Sequence, residues 1–270
     1  MEAFPARQSR FTVNLQDYIA ARRQERKILL MTHLIAGFPS LEANWRMLEI
    51  MGEVGVDIVE LQMPFSEPLA DGPTFARANQ LALEQGVTVE QYFDLMQRST
   101  KRFDFPHLMM GYYNTAYRLG HEGYCQHLQD TGASGFILPD LPVEEYGDLF
   151  AQAAAHGQAP VLLMTPTNTD ERLAEIGARA DGFIYAVARK GVTGSQTDLG
   201  DDLHEFIARC RQATDLPLAV GFGLRSADDL RRLHDRADIA IVGSELLNTW
   251  ERDGEAGYTA LLRDLIEGRT

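Results

Sequence analysis

Ile58-Val59-Glu60-Leu61 is a short apolar run that contains one carboxyl group, and the loop sequence Glu67-Pro68-Leu69-Ala70-Asp71-Gly72-Pro73 follows it. A run of this length predicts a buried strand. A carboxylate among aliphatic side chains is costly to desolvate unless it has a partner or a catalytic task. In a parallel barrel, Glu60 would lie near the C-terminal end of its strand and Asp71 in the next loop, where such barrels place catalytic groups.

Two carboxyl groups in different surroundings can hold different pKa values and divide acid and base work between them. The alternative is structural: Glu60 is a buried partner of a Lys or Arg, and Asp71 caps a helix. These residues alone leave both interpretations open.

Seven further apolar runs of strand length alternate with stretches of helical period. The eight runs are Ile28–Leu34, Ile58–Leu61, His107–Met110, Gly135–Leu138, Pro160–Leu163, Phe183–Val187, Leu218–Val220 and Ile239–Val242. The clearest helical stretches are Leu41–Met51, Val143–His156, Asp201–Ala213 and Ser226–His234. Such alternation predicts parallel strands with helical crossovers, and eight units favour a closed barrel.

We therefore predict an α/β fold: a single (β/α)8 TIM barrel over residues 1–270, with extra short helices in its loops. The first 27 residues, with apolar Leu15, Tyr18 and Ile19, are predicted to form a helix that covers the bottom of the barrel. Gly55-Val56-Asp57-Ile58, Arg179-Ala180-Asp181-Gly182 and Arg236-Ala237-Asp238-Ile239 each place Asp just before a strand, which indicates a recurring helix-to-strand turn.

The composition argues against several classes of partner. A formal net charge of −14 disfavours nucleic acid and anionic membrane, although a few local donors can still bind a phosphate. The 7 histidines have no metal-ligand spacing, so we expect no metal. Cys125 and Cys210 are expected to be free buried thiols. Because the sequence starts without a signal-peptide pattern, we expect a cytoplasmic protein.

Glycine-bearing turns follow the last three predicted strands. They are Lys190-Gly191-Val192-Thr193-Gly194-Ser195, Gly221-Phe222-Gly223 and Val242-Gly243-Ser244. Glycine lets backbone N–H groups converge on an anion, and a short helix predicted at Glu245–Trp250 would add its positive end. Each turn alone is more often only a tight turn, but together they match the phosphate site of TIM barrels.

Four stretches resemble the tryptophan synthase alpha chain family, and the similarity extends from about Leu30 to about Leu247. They are Glu60–Pro73, Leu138-Pro139-Asp140-Leu141-Pro142, Gly191-Val192-Thr193-Gly194 and Val220-Gly221-Phe222-Gly223. The resemblance implies retro-aldol cleavage of indole-3-glycerol phosphate to indole and glyceraldehyde 3-phosphate. It implies no cofactor in this chain, and a beta chain that carries pyridoxal phosphate in an alpha2beta2 heterotetramer.

By the same resemblance, Glu60 protonates indole C3 and handles the hydroxyl proton, while Asp71 accepts the indole N–H proton. Tyr185 matches a position beside Glu60, and Thr193 one that grips the Asp71 loop on closure. Substrate contacts are further expected from Tyr112, Gly194, Phe222, Gly223, Gly243 and Ser244. Taken alone, Tyr185 is equally well a core aromatic and Thr193 an ordinary turn residue.

The chain departs from the usual family pattern at three places. Gln62-Met63 stands where the family commonly has Gly-Val, and Glu67 replaces the usual Asp. His33 takes the position of an aromatic residue that lines the indole pocket; it could contact substrate or be hydrogen-bonded at the barrel mouth. None of these changes removes a proton-transfer group.

Three other functions remain as alternatives to an alpha subunit. A stand-alone indole-releasing lyase would share every catalytic residue. A catalytically weakened alpha-like subunit would serve only to activate a beta chain, but the presence of Glu60, Asp71 and all three glycine turns argues against it. A generic phosphate-binding barrel isomerase is the weakest, because the Glu60–Pro73 run is specific.

Overall fold

The computed structural model describes residues 14–187, 201–221 and 223–270, and in this part of the chain parallel strands alternate with helices. The strands are β1 (Leu29–Ile35), β2 (Ile58–Gln62), β3 (His107–Met110), β4 (Gly135–Ile137), β5 (Ala159–Pro160), β6 (Leu162–Met164), β7 (Ile184–Val187), β8 (Leu218–Gly221) and β9 (Ile239–Val242).

The helices are α1 (Leu15–Arg23), α2 (Leu41–Val54), α3 (Pro73–Glu84), α4 (Val89–Arg102), α5 (Tyr113–Leu119), α6 (His121–Thr131), a 3-10 helix (Val143–Tyr146), α7 (Leu149–Ala155), α8 (Asp170–Arg179), α9 (Asp201–Ala213), α10 (Ala227–Arg231) and α11 (Ser244–Glu267). Helices α3 and α5 are additional to the crossover helices α4 and α6, as predicted. None of the described helices has the length and apolar character that crossing a membrane requires.

The sheet has the order β5-β4-β3-β2-β1-β9-β8-β7-β6, and only Val161 separates its two end strands along the chain. The Val161 N–H donates to the Phe136 carbonyl at 3.0 Å, which extends the β4–β5 ladder past Pro160. The fifth predicted strand is therefore present but divided: its first part pairs with β4 and its second part with β7. The strand pattern of a TIM barrel is confirmed.

Two predicted helices have different boundaries in the structure. Val143–His156 is divided into the 3-10 helix and α7 at Gly147, whose φ of 52° a helix cannot accommodate. The short helix predicted at Glu245–Trp250 is the start of the longer α11, which bends at Gly254. The other predicted stretches correspond to α2, α9 and α10.

Side chains alternate between the barrel interior and the layer beneath the helices. The apolar interior cluster includes Leu29, Met31, Ile58, Leu108, Ile137, Val161, Phe183, Ala219, Ile239 and Ile241. The outer layer takes the intervening residues, such as Leu30 and Leu34 of β1. By the same alternation, His33, Glu60 and Gln62 belong to the interior-facing set at the C-terminal end of the strands.

Helix α1 closes the opposite end, as predicted, and the three aspartates of the recurring turn hold it there. Leu15 and Ile19 join the interior cluster. Three polar groups of α1 reach one aspartate each: Gln16 Nε2 donates to Asp181 at 2.7 Å, Arg22 lies 3.4 Å from Asp57, and Arg23 lies 3.3 Å from Asp238.

Asp57 is fully buried and has the most partners of the three. Its carboxylate accepts from Arg26, from Arg269 Nη1 at 2.7 Å and from the Leu30 N–H at 2.9 Å. Arg269 is 6% exposed, so its buried positive charge needs the Asp57 carboxylate as a counter-charge.

We predict that Asp57→Ala lowers the free energy of unfolding by about 3–5 kcal/mol, because it leaves buried guanidinium charge uncompensated. The control is Asp94→Ala, which breaks the exposed i,i+4 pair with Arg98 and should cost under about 0.5 kcal/mol. Urea unfolding followed by circular dichroism measures both, and equal losses would contradict the prediction.

Candidate active site

Glu60 and His33 face each other across neighbouring strands, where β1 and β2 place them in register. Glu60 is 1% exposed and His33 is 6% exposed. Glu60 Oε2 lies 3.6 Å from His33 Nδ1, and among the described residues it has no hydrogen-bond partner. Burial, and then the charge of Asp71, raises the pKa of Glu60 well above its ordinary value. Both effects favour the protonated form of Glu60, which is the form that a general acid requires.

His33 is neutral and fixed in orientation. Burial lowers its pKa to about 3, its ring stacks on Phe75 with centroids 4.3 Å apart, and its Nε2 lies 2.8 Å from Gln62 Oε1. The contact with Glu60 is therefore no ion pair. His33 is therefore hydrogen-bonded at the barrel mouth, and its contact with substrate stays a prediction.

Asp71 is held by two amide side chains. Gln62 Nε2 donates to Asp71 Oδ2 at 2.7 Å, and Asn79 Nδ2 donates to the same oxygen at 3.1 Å. Donors of this kind stabilise the ionised carboxylate, the form that a general base requires. Asp71 does not cap a helix, because α3 starts at Pro73 with Gly72 as its N-cap.

Two tyrosines flank this pair of carboxyl groups. The Tyr112 hydroxyl accepts from the Ala70 N–H at 3.1 Å, and its ring stacks on Phe65 at 4.8 Å, so Tyr112 holds the loop that carries Asp71. Tyr185 is partly buried on β7; burial, then the charges of Glu60 and Asp71, raise its pKa well above the ordinary value. The structure thus brings Tyr112 and Tyr185 to the site.

The described part of the predicted phosphate site lies after β8 and β9. Gly223 has a φ of 67°, a conformation that glycine adopts readily, and Ser244 opens α11. A Cβ on Gly243 would come within 2.7 Å of Phe75 and 3.2 Å of His33, so glycine is required there by close packing. Thr193, Gly194 and Phe222 lie outside the described residues.

Three site residues had not been identified from the sequence: Phe65, Phe75 and Asn79. Asn79 Oδ1 also accepts from the Phe65 N–H at 2.9 Å, so Asn79 connects α3 to the start of the loop that carries Asp71. Asn79 is fully buried in α3. In the sequence, the signal that could have revealed it is an asparagine on the apolar face of a predicted helix, because asparagine is mostly an exposed residue. Within 14–187, 201–221 and 223–270, no group of three or more His, Cys, Asp or Glu could hold a metal.

Comparison with known proteins supports one assignment. The sequence profile of the tryptophan synthase alpha chain family matches residues 19–266. The tryptophan synthase alpha chain of Syntrophotalea carbinolica is 41% identical over 251 residues, covering 93% of this chain and 99% of that one. A tryptophan synthase structure from Mycobacterium tuberculosis superposes with a TM-score of 0.87 at 31% identity, covering 94% and 97%. A tryptophan synthase complex from Pyrococcus furiosus gives 0.80 at 26%, covering 88% and 97%.

The buried carboxyl of Glu60 predicts a specific pH dependence of stability. The unfolded chain releases this proton at about pH 4.3, whereas the folded chain keeps it to higher pH. Stability is therefore lost as pH rises between these two values, by about 1.4 kcal/mol per pH unit. Glu60→Gln has no carboxyl proton to lose. The free energy of unfolding of this variant minus that of the wild type should therefore increase with pH. Urea unfolding at several pH values between about 5 and 8 measures it, and a constant difference would contradict the raised pKa.

Proposed function

Because this chain belongs to the tryptophan synthase alpha chain family, we propose that Glu60 and Asp71 are the acid and the base of the family's reaction. That reaction is the retro-aldol cleavage of indole-3-glycerol phosphate to indole and glyceraldehyde 3-phosphate, a carbon–carbon lyase step of L-tryptophan biosynthesis. The single observation that carries the assignment is the contrast between the two groups: Glu60 Oε2 is buried without a hydrogen-bond partner among the described residues, whereas Asp71 Oδ2 accepts from the Gln62 and Asn79 amides.

The reaction starts with proton transfers at the indole ring. Glu60, as the acid, protonates C3 while Asp71 accepts the proton on the ring nitrogen. The Glu60 carboxylate then takes the proton of the side-chain hydroxyl, whose electrons form the aldehyde. The bond between C3 and the side chain breaks, its electron pair passes into the ring, and the nitrogen regains its proton from Asp71. Both carboxyl groups return to their starting states.

These steps are proton transfers, so we expect no cofactor in this chain. The substrate phosphate is assigned to the turns after β8 and β9, through Gly223, Gly243 and Ser244 together with Gly194 outside the described residues. The N-terminus of α11 adds its partial positive charge, which offsets the negative net charge locally. The whole chain is taken as one barrel domain, and its buried thiols Cys125 and Cys210 fit a cytoplasmic location.

A beta chain is the expected partner, because the similar proteins include tryptophan synthase complexes. We place its docking surface at the barrel mouth, where the indole leaves. Two large apolar side chains are exposed there: Leu69, 88% exposed, in the loop of Asp71, and Tyr117, 72% exposed, in α5. The beta chain would carry pyridoxal phosphate and receive the indole, in an alpha2beta2 heterotetramer.

Glu60→Gln and Asp71→Asn should each slow indole release by at least about 10²-fold, since a general acid or base contributes about 10²–10⁴. Asp94→Asn, an exposed carboxyl on α4, is the matched control and should retain full activity. The assay follows indole formed from indole-3-glycerol phosphate, with and without the beta chain. Near-normal turnover of a folded Glu60 or Asp71 variant would refute the role assigned to it.

Glu67 should tune the fit to the beta chain, because it is one methylene longer than the family's usual Asp and lies exposed beside Leu69. We expect strong activation by the chain's own beta subunit and weaker activation by that of a distant homologue. Glu67→Asp should narrow this difference, whereas Glu25→Ala, an exposed site at the barrel bottom, should leave it unchanged. Titration of both beta chains in the indole assay tests this; equal activation of wild type would exclude a role for position 67.

A further inference from the structure

His33 and Gln62 connect the two carboxyl groups through consecutive polar contacts. Gln62 is fully buried, and its two amide atoms face opposite ways: Nε2 donates to Asp71 Oδ2 at 2.7 Å and Oε1 lies 2.8 Å from His33 Nε2. Because a carboxylate only accepts, Asp71 fixes which end of the amide points toward it. The amide oxygen must then face His33, so His33 Nε2 carries the hydrogen and donates it.

The tautomer of His33 decides whether its Nδ1 presents a lone pair or a hydrogen to Glu60. With the hydrogen on Nε2 and a neutral ring, Nδ1 carries a lone pair, and this atom lies 3.6 Å from Glu60 Oε2. A carboxylate facing a lone pair is repelled, whereas a carboxylic acid can turn its O–H toward Nδ1 and donate. A small approach of the Glu60 carboxyl would complete this hydrogen bond.

We propose that His33 and Gln62 form a directional hydrogen-bonded link that keeps Glu60 in its acid form while Asp71 is a carboxylate. Donors and acceptors then follow one order: the Glu60 O–H to His33 Nδ1, His33 Nε2–H to Gln62 Oε1, and Gln62 Nε2–H to Asp71 Oδ2. Both are positioning residues, since they act through the two carboxyl groups. The inference rests on the proposed function of Glu60 and Asp71.

Other groups also influence the protonation of Glu60, so the test must isolate the link. Those that face Glu60 are Asp71 from the loop after β2, Tyr185 from β7 and Tyr92 from α4, whose charged form Glu60 disfavours. Substitution at position 33 leaves all three groups and the donors to Asp71 in place, whereas substitution at position 62 also removes one donor from Asp71. The direct measurement is the carboxyl ¹³C titration of Glu60 by NMR, with the resonance assigned by its loss in Glu60→Gln.

His33→Phe removes the Nδ1 acceptor. The midpoint of the Glu60 titration should then fall by about half to one pH unit, which corresponds to the free energy of one hydrogen bond. Gln62→Leu removes the acceptor that holds the hydrogen on His33 Nε2, so either tautomer of His33 can form. The midpoint of the Glu60 titration should fall by a similar amount. If the link acts as a unit, the double variant should titrate like His33→Phe alone. The matched control is His107→Phe: His107 is also buried and neutral, but it contacts Ser99 and Phe105 instead of a carboxyl group, and the Glu60 titration should not move.

The pH profile of indole release separates the two substitutions. Glu60 must be protonated, so its titration sets the alkaline limb, which His33→Phe should move to lower pH. Gln62→Leu also removes a donor from the Asp71 carboxylate. It should therefore move the acidic limb to higher pH in addition to moving the alkaline limb to lower pH. These measurements use the full chain, with the beta chain present if turnover requires it.

An unchanged Glu60 titration in His33→Phe, or shifts that add in the double variant, would overturn the link. If His33→Phe does not fold, the same titration of His33→Leu, which also lacks the Nδ1 acceptor and leaves the donors to Asp71 intact, decides the outcome. A lowered Glu60 titration with an unmoved alkaline limb would support the link and instead refute Glu60 as the catalytic acid. The two inferences therefore fail separately.

Discussion

Burial of the Glu60 carboxyl is the constraint on which the mouth of the barrel depends. At 1% exposure an ionised group would need a donor or a cation, and His33 Nδ1, 3.6 Å from Glu60 Oε2, belongs to a ring whose pKa burial has lowered to about 3. The acid form satisfies this environment, and it is also the form that the proposed role of Glu60 requires. Asp71 meets the reverse conditions, with two amide donors on one oxygen. The neighbouring groups, more than the residue types, therefore distinguish the proposed acid from the proposed base.

A second buried carboxyl group, just before the start of β2, is ionised and paired with cations instead. Asp57 precedes Glu60 by three residues and is equally buried, but Arg26, Arg269 and the Leu30 N–H supply charge and donors. That carboxyl group stabilises the fold by anchoring α1 and the C-terminus. The division fits the usual arrangement of TIM barrels, in which the bottom carries stability and the top carries chemistry.

The sequence predicted the barrel because its strands are apolar on both faces and stand out as short runs. It did not predict the division of the fifth strand at Val161, which arises where the sheet closes and the two halves pair with different neighbours. Glu60 and Asp71 were identifiable from the cost of a buried carboxyl and from their place at a strand end. The contact between His33 and Gln62 was not, because it depends on the register of β1 on β2.

That contact also makes His33 and Gln62 depend on each other. With a phenylalanine at position 33, the Gln62 oxygen would be buried without its donor, at a cost of about 1–3 kcal/mol. With a glycine at position 62, His33 Nε2–H would lose its acceptor in the same way, and Asp71 would lose one of its two amide donors. Each residue satisfies a polar atom that the other brings into the interior. His33 and Gln62 are therefore energetically coupled, and a substitution at either position would affect both carboxyl groups.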